Sequence, residues 1–458
     1  MNFGPVDAKM TKFKPKNSLT ENSELLDILK KQNINPDHVS LQILEGSEEL
    51  FSLNAAIKKI PASISKLFTT FAILKKFPIG QKFYTRLYSD GKNLYLSGGG
   101  DPSFVSENLW FLVNEFNRSG IKNIKGNIIV DDSLFDRIRY DESRESTRVD
   151  RAYDAPVGAM SFNWNSVNIF VKPAKKEGEK AIVTLDPESQ FFELVNNTKT
   201  VSNVAKKEQN ELIATVSGAK KTIVVSGEVR LNDTEKAIYK NVAEPDIWAG
   251  KNLVYFLKQR GITVEGQIEN GKVPADAELL ATYESKNLSY ILADMNKFSN
   301  NFVAEMLVKD LAAQEQKSGA TLKRGVDIIR DEISKIGLSR QEVIFLNPSG
   351  LTRENLFSAA SLNKVLSEVK RDFSIFPTFL NGLPIAGIDG TLKKRMKNSV
   401  AEGWVRAKTG YLDGVVSLAG FAGKRDGTVL TFTFLYNGPR DEAIVREAFD
   451  QLLITSLK

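Results

Sequence analysis

A strongly apolar helical pattern runs from Pro61 to Lys76, near the start of the chain. Its apolar positions leave no polar face before the terminal lysines: Leu67, Phe68, Phe71, Ala72, Ile73 and Leu74. A helix with apolar side chains on nearly every side belongs in a protein core. The pattern therefore predicts a buried helix that opens on Ser63, with Ser63 and Lys66 on one face because they lie three residues apart.

Both ends of the chain predict helices and strands around this helix. Amphipathic leucines predict a helix over 21–32, and alternating apolar residues over 39–44 and 50–53 predict a hairpin. Helical patterns return at 288–296, 302–313 and 322–336. Three strand-like runs follow at 403–408, 415–422 and 428–436, and a last helix is predicted over 441–457. We predict an α+β fold in which 21–76 and 285–458 form one domain, an antiparallel sheet flanked by helices.

The middle of the chain has a different pattern, in which strand-like runs outnumber helical ones. The strand-like runs lie at 93–97, 127–130, 167–171, 181–185 and 221–230, and the helical patterns at 106–116 and 247–260. We predict one or two inserted strand-rich domains over 77–284, and a flexible N-terminus over 1–20. The length of 458 residues exceeds the usual size of one core, which also favours more than one domain.

The composition excludes several kinds of chemistry. The chain has no cysteine, so disulfides, thiol catalysis and thiolate metal sites are absent. Its single histidine is His38, so a Ser-His-Asp enzyme would depend on that residue and a zinc site would lack ligands. We therefore predict neither a metal nor another cofactor. If the chain catalyses acyl transfer, its base is expected to be a lysine or a carboxylate.

Charge and hydropathy limit the kinds of partner and the cellular location that the sequence predicts. The net charge of +6 is mild and spread along the chain without interleaved aromatic residues, so no nucleic-acid partner is predicted. No apolar run approaches the length of a transmembrane segment, and residues 1–17 lack the apolar stretch of a signal peptide. The chain is then either cytoplasmic or a processed or engineered form.

The pair Ser63 and Lys66 has two interpretations. A hydroxyl and an amine held together in a dry place can act as a nucleophile and its base, and the start of a helix suits an anionic intermediate. Ser-x-x-Lys also begins at Ser89, Ser119, Ser217, Ser361 and Ser367, so the spacing alone is weak. The alternative is that Ser63 only caps the helix and Lys66 is solvated.

Two further short motifs carry polar chemistry. Ser299-Asn300-Asn301 lies in a turn between two predicted helices, where a helix cap is the alternative role. Lys408-Thr409-Gly410 occurs once, and its glycine lets a backbone approach a ligand. By contrast, the glycines at 98–100 are not followed by Gly-Lys-Ser/Thr, so a nucleotide-binding loop is not predicted.

In this order the three motifs match the set Ser-x-x-Lys, Ser-x-Asn and Lys-Thr-Gly of penicillin-binding proteins and serine β-lactamases. The chain resembles the low-molecular-mass class C penicillin-binding proteins, which are D-alanyl-D-alanine carboxypeptidases and endopeptidases. Further stretches that resemble this family lie at 98–102, 153–157, 347–353, 383–392 and 407–412. The resemblance implies a penicillin-binding/serine β-lactamase-like transpeptidase domain that carries a long insertion.

The resemblance also implies catalytic roles. Ser63 would attack the carbonyl of a D-Ala-D-Ala peptide and Lys66 would take its proton, while Asn301 would hold the substrate amide and Ser299 would pass a proton to the leaving amine. The Lys66 amine must be neutral for this, so its pKa must fall from about 10.4 towards about 7 or 8.

Substrate binding would fall to the strand that carries Lys408. Lys408 and Thr409 would face the substrate carboxylate, Gly410 would let the backbone come close to the ligand, and the Tyr411 N–H would share the oxyanion with that of Ser63. Many relatives carry threonine at the position of Tyr411, so a hydroxyl contact to the carboxylate is in question here.

The implied function is hydrolysis of D-Ala-containing peptide bonds of peptidoglycan through an acyl-enzyme. Its implied partners are peptide stems and cross-links, with β-lactams as covalent inhibitors, and its implied location is the periplasm. One alternative is a β-lactamase, which would need fast deacylation, although no matching deacylation glutamate motif is present. The other alternative is a peptidoglycan-binding protein that has lost catalysis.

Overall fold

A computed structural model describes residues 18–144, 151–188, 191–202, 209–217 and 221–458. Most of the predicted flexible N-terminus, residues 1–17, therefore lies outside the described residues. The α-helices of the described residues are α1 (Ser18–Lys31), α2 (Lys66–Lys76), α3 (Ser106–Asn117), α4 (Pro245–Gln259), α5 (Leu288–Lys297), α6 (Asn301–Gln316), α7 (Leu322–Lys335), α8 (Ala359–Arg371), α9 (Phe376–Gly382) and α10 (Glu442–Ser456).

The strands are, in chain order, β1 (Val39–Glu45), β2 (Glu48–Leu53), β3 (Tyr84–Ser89), β4 (Leu94–Gly98), β5 (Asn123–Ile124), β6 (Ile128–Asp131), β7 (Ser166–Lys172), β8 (Ile182–Asp186), β9 (Glu193–Val201), β10 (Ile213–Ser217), β11 (Thr222–Arg230), β12 (Lys236–Asn241), β13 (Thr263–Val264), β14 (Ile268–Asn270), β15 (Glu278–Glu284), β16 (Val405–Leu412), β17 (Val415–Gly423) and β18 (Val429–Asn437). Long helices thus lie towards both ends of the chain, and most strands lie between them.

The two ends of the chain build one antiparallel sheet, in the order β16-β17-β18-β1-β2. Its second strand β17 is buried along nearly its whole length, because both faces of the sheet are covered by helices. Leu418 packs in the apolar cluster of α1 and α10, whereas Phe421 packs in the cluster of α2 and α5–α9. The period of two along a strand therefore divides its side chains between two cores.

Helix α2 lies inside the larger of these cores, as its sequence predicts. Every residue from Lys66 to Leu74 is buried. The ring of Phe68 meets those of Phe345 and Phe357 edge to face, with centroids 5.9 and 4.8 Å away. This burial on all sides holds the start of α2 firmly, and the candidate nucleophile comes immediately before that start.

The middle of the chain forms the remaining sheets of the described residues. A mixed sheet has the order β14-β6-β4-β3-β15, and smaller sheets have the orders β12-β7-β8, β10-β11-β9 and β13-β5. With α3 and α4 these sheets enclose a separate apolar cluster around Trp248, Phe162 and Phe191. This cluster is distinct from the two that flank the antiparallel sheet.

Some elements differ from the prediction. The predicted helix does not open as an α-helix on Ser63: a 3₁₀ turn over Ala62–Ser65 comes first, and α2 begins at Lys66. Ala62 has a left-handed φ of +52°, which turns the chain sharply just before the serine. Helix α8 was not predicted, although its apolar residues at 362, 365, 366 and 369 repeat with helical spacing.

Within the described residues, none of the helices combines the length and the apolar character that a membrane crossing requires.

Candidate active site

Ser63 sits in the 3₁₀ turn before α2, and a second turn presses against it. A Cβ atom at Gly350 would lie 2.0 Å from the Ala62 carbonyl oxygen and 3.1 Å from the Ser63 nitrogen. Only glycine fits there, and its φ of +76° also favours glycine. The turn that contains Ser349 and Gly350 is therefore packed directly on the backbone of the candidate nucleophile.

Lys66 is fully buried, and three oxygen atoms surround its amine. Its Nζ lies 3.1 Å from Ser63 Oγ, 2.7 Å from Asn301 Oδ1 and 2.5 Å from the Ser349 carbonyl oxygen. The Ser63 hydroxyl also lies 3.4 Å from the same Ser349 carbonyl. The interpretation of Ser63 as a mere helix cap and Lys66 as a solvated lysine is wrong, because the lysine has no solvent exposure.

Asn301 and Ser299 come from the turn between α5 and α6. Asn300 caps α6 by accepting a hydrogen bond from the Val303 N–H, which leaves Asn301 as the first residue of the helix. Asn301 donates its side-chain amide to the Tyr153 carbonyl at 3.2 Å, so its Oδ1 is turned towards Lys66. Ser299 has a left-handed φ of +55°, a strained conformation that is common at functional sites.

Lys408 approaches the same place from the edge strand β16. Its buried Nζ donates to Ser299 Oγ at 2.8 Å and to the Thr409 carbonyl at 2.7 Å. A Cβ atom at Gly410 would lie 3.1 Å from the Ser63 nitrogen and 2.6 Å from the Pro61 carbonyl oxygen. The missing side chain of Gly410 therefore lets β16 pass beside the serine.

The N–H groups of β16 alternate between its two edges. The Ala407 N–H donates away from β17, to the Pro384 carbonyl at 3.0 Å. Since N–H groups two residues apart point to the same side of a strand, those of Thr409 and Tyr411 also point away from β17. They thus line the open edge of the sheet on the side where Ser63 lies.

The side chains of Thr409 and Tyr411 have other partners. Thr409 Oγ1 lies 2.8 Å from Thr391 Oγ1, which comes from the predicted motif at 383–392. The Tyr411 hydroxyl donates to Glu442 Oε2 at 3.3 Å, at the start of α10, and the ring lies under the Arg446 guanidinium. The Tyr411 hydroxyl is therefore engaged outside the cleft, whereas its N–H remains at the sheet edge.

Burial sets the electrostatics of the two lysines. Loss of solvation lowers the pKa of Lys66 far below its ordinary value, the charge of Lys408 lowers it further, and Glu305 opposes both effects. Burial also lowers the pKa of Lys408, to about 7. Lys66 is accordingly suited to accept a proton at neutral pH, and Lys408 is poised to gain one when an anion binds.

The structure brings all eight sequence-predicted residues to one cleft, and it adds others that sequence reasoning missed. Ser349 supplies a carbonyl to Lys66, and Glu305 with Arg144 lies behind it. Ser349 falls in a stretch that resembled the family, but no role was predicted for it. A signal for Glu305 was present, because it is a carboxylate one turn after Asn301 within a largely apolar helix.

This fold and this cleft define the class of penicillin-binding-protein-like serine enzymes. The crystal structure of penicillin binding protein 4 from Haemophilus influenzae has a TM-score of 0.79 to this chain at 24% sequence identity, covering 93% of this chain and 98% of that one. At this identity the likeness shows the fold, and it confirms the predicted α+β class with its penicillin-binding-protein-like domain.

Sequence comparison then assigns the family. The model of the D-Ala-D-Ala carboxypeptidase 3 (S13) family matches residues 22–455. A D-alanyl-D-alanine carboxypeptidase from Actinomadura sp. is 32% identical over 413 residues, covering 85% of this chain and 76% of the relative. The D-alanyl-D-alanine carboxypeptidase DacB from Haemophilus influenzae is 26% identical over 437 residues, covering 89% and 88%.

The chain belongs to the D-Ala-D-Ala carboxypeptidase 3 (S13) family. This confirms the resemblance found in the sequence and the predicted enzyme class, a serine-type D-Ala-D-Ala carboxypeptidase, which is a hydrolase. Peptidoglycan as substrate and β-lactams as ligands fit this family.

Proposed function

We propose that Ser63 is the nucleophile of this peptidase and that Lys66 is its general base. The observation that carries the proposal is the contact of 3.1 Å between the Nζ atom of the fully buried Lys66 and the Oγ atom of the partly exposed Ser63. Burial lowers the pKa of the amine and so favours its neutral form, which can remove the hydroxyl proton as the oxygen attacks. The remaining residues of the cleft then have defined tasks.

In the acylation step, Ser63 Oγ bonds to the carbonyl carbon of the D-Ala-D-Ala peptide bond while its proton moves to Lys66. The carbonyl oxygen becomes an anion between the N–H groups of Ser63 and Tyr411. The peptide C–N bond then breaks, and Lys408 supplies a proton to the leaving amine through Ser299, to which it is hydrogen-bonded. In deacylation a water molecule attacks the ester and gives up a proton to Lys408 through Ser299. The bond to Ser63 Oγ breaks and Lys66 returns its proton to that oxygen, which restores both lysines.

Substrate recognition rests on the carboxylate next to the scissile bond. Protonated Lys408 and the hydroxyl of Thr409 lie on the strand beside the serine and match a carboxylate in charge and hydrogen bonding. Asn301 would hold the amide of the stem peptide. A terminal D-alanine has such a carboxylate, so we favour carboxypeptidase activity on peptide stems, with cross-links as further substrates and β-lactams as agents that acylate Ser63.

The organisation of the chain supports the same proposal. We assign residues 21–76 and 285–458 to the peptidase domain, since these parts build the antiparallel sheet and supply the eight cleft residues. Residues 77–284 form the insertion, which reaches the site through the Tyr153 carbonyl. Because peptidoglycan lies outside the cytoplasmic membrane, we place the enzyme in the periplasm.

The decisive experiment is labelling with fluorescent penicillin together with digestion of purified muropeptides. Ser63→Ala is expected to abolish both the covalent label and the release of D-alanine. Ser367→Ala is the matched control, because Ser367 also begins a Ser-x-x-Lys but lies on α8. Labelling of Ser63→Ala at the rate of the unmodified enzyme would contradict the proposal.

The lifetime of the label separates the peptidase from the alternative predicted from the sequence. A stable penicilloyl adduct is expected for the peptidase, because the sequence contains no motif that matches the deacylation glutamate of a β-lactamase. Rapid loss of the label with release of hydrolysed penicillin would instead identify a β-lactamase.

A further inference from the structure

The hydrogen-bonding partners of Lys66 include a backbone carbonyl, that of Ser349. This carbonyl accepts from Lys66 Nζ at 2.5 Å and lies 3.4 Å from Ser63 Oγ, so it touches both members of the proposed catalytic pair. The direction in which a backbone carbonyl points depends on the conformation of its turn. The groups that hold this turn therefore help to set the geometry of the base.

Two side chains of the turn lie close to a buried carboxylate. Glu305 Oε1 is 3.2 Å from the Ser349 hydroxyl and 3.5 Å from the Asn347 side-chain amide. Asn347 Oδ1 in turn accepts from the backbone N–H of Ser349 at 2.9 Å and from that of Gly350 at 3.1 Å. Glu305 and Asn347 together fix the peptide unit that presents the carbonyl to Lys66.

Glu305 is itself held by an arginine. Arg144 donates its Nε to Oε1 at 2.8 Å and its Nη2 to Oε2 at 2.5 Å, a two-pronged contact, and its Nη1 donates to Asp154 Oδ1 at 3.0 Å. The exposed fractions of the Arg144 and Glu305 side chains are only 0% and 2%. Removal of Arg144 would leave the buried Glu305 charge without this partner, whereas removal of the Glu305 charge would leave Arg144 still paired with Asp154.

Glu305 also connects to Lys66 through its own helix. It follows Asn301 by four residues on α6, and Asn301 Oδ1 accepts from Lys66 Nζ at 2.7 Å. One carboxylate thus ties the helix that carries Asn301 to the turn that carries Ser349. Arg144 links both to the 3₁₀ turn over Ala152–Asp154, whose Tyr153 carbonyl orients Asn301.

We propose that Glu305, clamped by Arg144, is a positioning residue for the general base: it fixes the two oxygen acceptors that hold Lys66 beside Ser63, and its charge tunes the basicity of Lys66. The proposal rests on the proposed function, since it assumes that Lys66 is the base. It assigns to the carboxylate a role in acylation without any contact with substrate.

The pKa of Lys66 depends on the ionisable groups around Lys66 and Glu305. These groups are Lys66 on α2, Lys408 on β16, Arg144 and Asp154 from the insertion, and Lys309 and Asp310 on α6 itself. Lys309 is paired with Asp136. Without the Glu305 charge, the positive charges of Arg144 and Lys408 would dominate the electrostatic potential at Lys66. The pKa of the Lys66 amine would therefore fall, and the amine would lose its proton at a lower pH.

The test measures the rate of acylation by fluorescent penicillin between pH 5 and 9. Glu305→Gln keeps the shape of the side chain but removes its charge. We expect acylation to slow by about 10–100-fold at its best pH, because small displacements of a reacting group are costly. We also expect the acid limb of the profile to move down by about one pH unit, which a purely structural defect would not produce.

Glu332→Gln is the matched control. Glu332 is a buried carboxylate on α7 that accepts hydrogen bonds from Lys76 and Lys335, and neither of these lysines is a cleft residue. It is expected to lower the melting temperature without a change in the acid limb. An acid limb of Glu305→Gln that coincides with that of the unmodified enzyme would overturn the tuning of Lys66.

Ser349→Ala tests the positioning role even if Glu305→Gln fails to fold, because it leaves the ion pair intact. It removes the hydroxyl next to Glu305 and is expected to slow acylation by about tenfold with the acid limb unchanged, since no charge is altered. Acylation of Ser349→Ala at the full rate would overturn the positioning role. Failure of the proposed function itself would appear differently, as labelling that survives Ser63→Ala.

Discussion

Lys408 Nζ donates a hydrogen bond of 2.8 Å to Ser299 Oγ, across 109 residues of sequence. The contact joins the edge of the antiparallel sheet to the turn between α5 and α6, and it places an ammonium group beside a hydroxyl in the cleft. Lys408 is fully buried, and this burial lowers its pKa to about 7. Its charge therefore changes within the range of pH in which enzymes are commonly assayed.

The pKa of Lys408 predicts an alkaline limb for carboxylate substrates. Below pH 7 the ammonium attracts the carboxylate, and above pH 7 the free enzyme loses this charge, so kcat/KM should fall by about tenfold per pH unit. The measurement is kcat/KM for a D-Ala-D-Ala peptide between pH 6 and 9. Lys408→Arg should be slower but should lack this limb, because a guanidinium stays protonated; an identical limb in both proteins would contradict the assignment.

Gly410 predicts a steric requirement at the nucleophile. An added Cβ would lie 2.1 Å from Ser417 Oγ, 2.6 Å from the Pro61 carbonyl oxygen and 3.1 Å from the Ser63 nitrogen. Gly410→Ala should therefore separate β16 from the serine and slow penicillin acylation by about 10²-fold. Gly80→Ala, where a Cβ meets nothing within 4 Å, is the control and should acylate normally. A fully active Gly410→Ala would show that this close approach is dispensable.

Tyr411 predicts a difference in carboxylate binding. Its hydroxyl donates a hydrogen bond to Glu442, outside the cleft to which Thr409 contributes. Tyr411→Thr supplies a short hydroxyl and keeps the backbone N–H, so KM for a D-Ala-D-Ala peptide should fall by about fivefold, which corresponds to about 1 kcal/mol for one hydrogen bond. Tyr411→Val has nearly the same shape without the hydroxyl. Equal KM values for the two variants would exclude this contact.

Two buried carboxyl groups predict an unusual dependence of stability on pH. Asp101 Oδ2, from the insertion, and Asp310 Oδ2, from α6, are buried without a hydrogen-bond partner among the described residues. Burial raises the pKa of Asp101 to about 6, and burial together with the charge of Asp101 raises the pKa of Asp310 well above its ordinary range. The folded state thus holds these protons more tightly than the unfolded chain does.

The sign of the effect follows from these raised values. The stabilising contribution is complete below about pH 4, the unfolded pKa, and is lost as the pH rises through about 6. These two carboxyl groups therefore act to raise the melting temperature when the pH is lowered from 7.5 to 5.5, whereas Lys66 and Lys408, whose pKa values are lowered by burial, act in the opposite direction. Asp310→Asn should flatten this slope and raise the melting temperature at pH 7.5 by about 3 °C, whereas Asp27→Asn, at an exposed site, should leave the slope unchanged.

Asp132 will leave a residual slope in both variants, since burial raises its pKa to about 6 as well. A slope in Asp310→Asn as steep as in the unmodified protein would contradict the role of the Asp101–Asp310 pair.

Local sequence patterns predicted a large part of the fold. The apolar positions of α2, the alternation in β1 and the strand-like runs of β17 and β18 are short-range signals, and the structure contains these elements close to the predicted bounds. The 3₁₀ turn at Ala62–Ser65 was not predicted, because it depends on the Gly350 turn packed against it. Helix α8 was missed although its own period signals it.

Prediction of the site shows the same division. Ser63 with Lys66 and Ser299 with Asn301 were found because each pair is close in sequence and recurs in a known motif order. Nothing local couples Arg144 to Glu305, which are 161 residues apart, or Ser349 to Lys66, which are 283 apart. Such pairs depend on how separate elements pack, and a single sequence does not report packing.

The amino-acid sequence by itself determined the inventory of chemistry: no thiol, one histidine, and a lysine three residues after a serine, followed by two further motifs in order. Only the tertiary structure decided that the Lys66 amine is dry, that Lys408 shares its cleft, and that the Ser349 carbonyl and Glu305 stand behind it. The physical reason is that a pKa depends on burial and on nearby charges, and both arise only when distant segments close around the group.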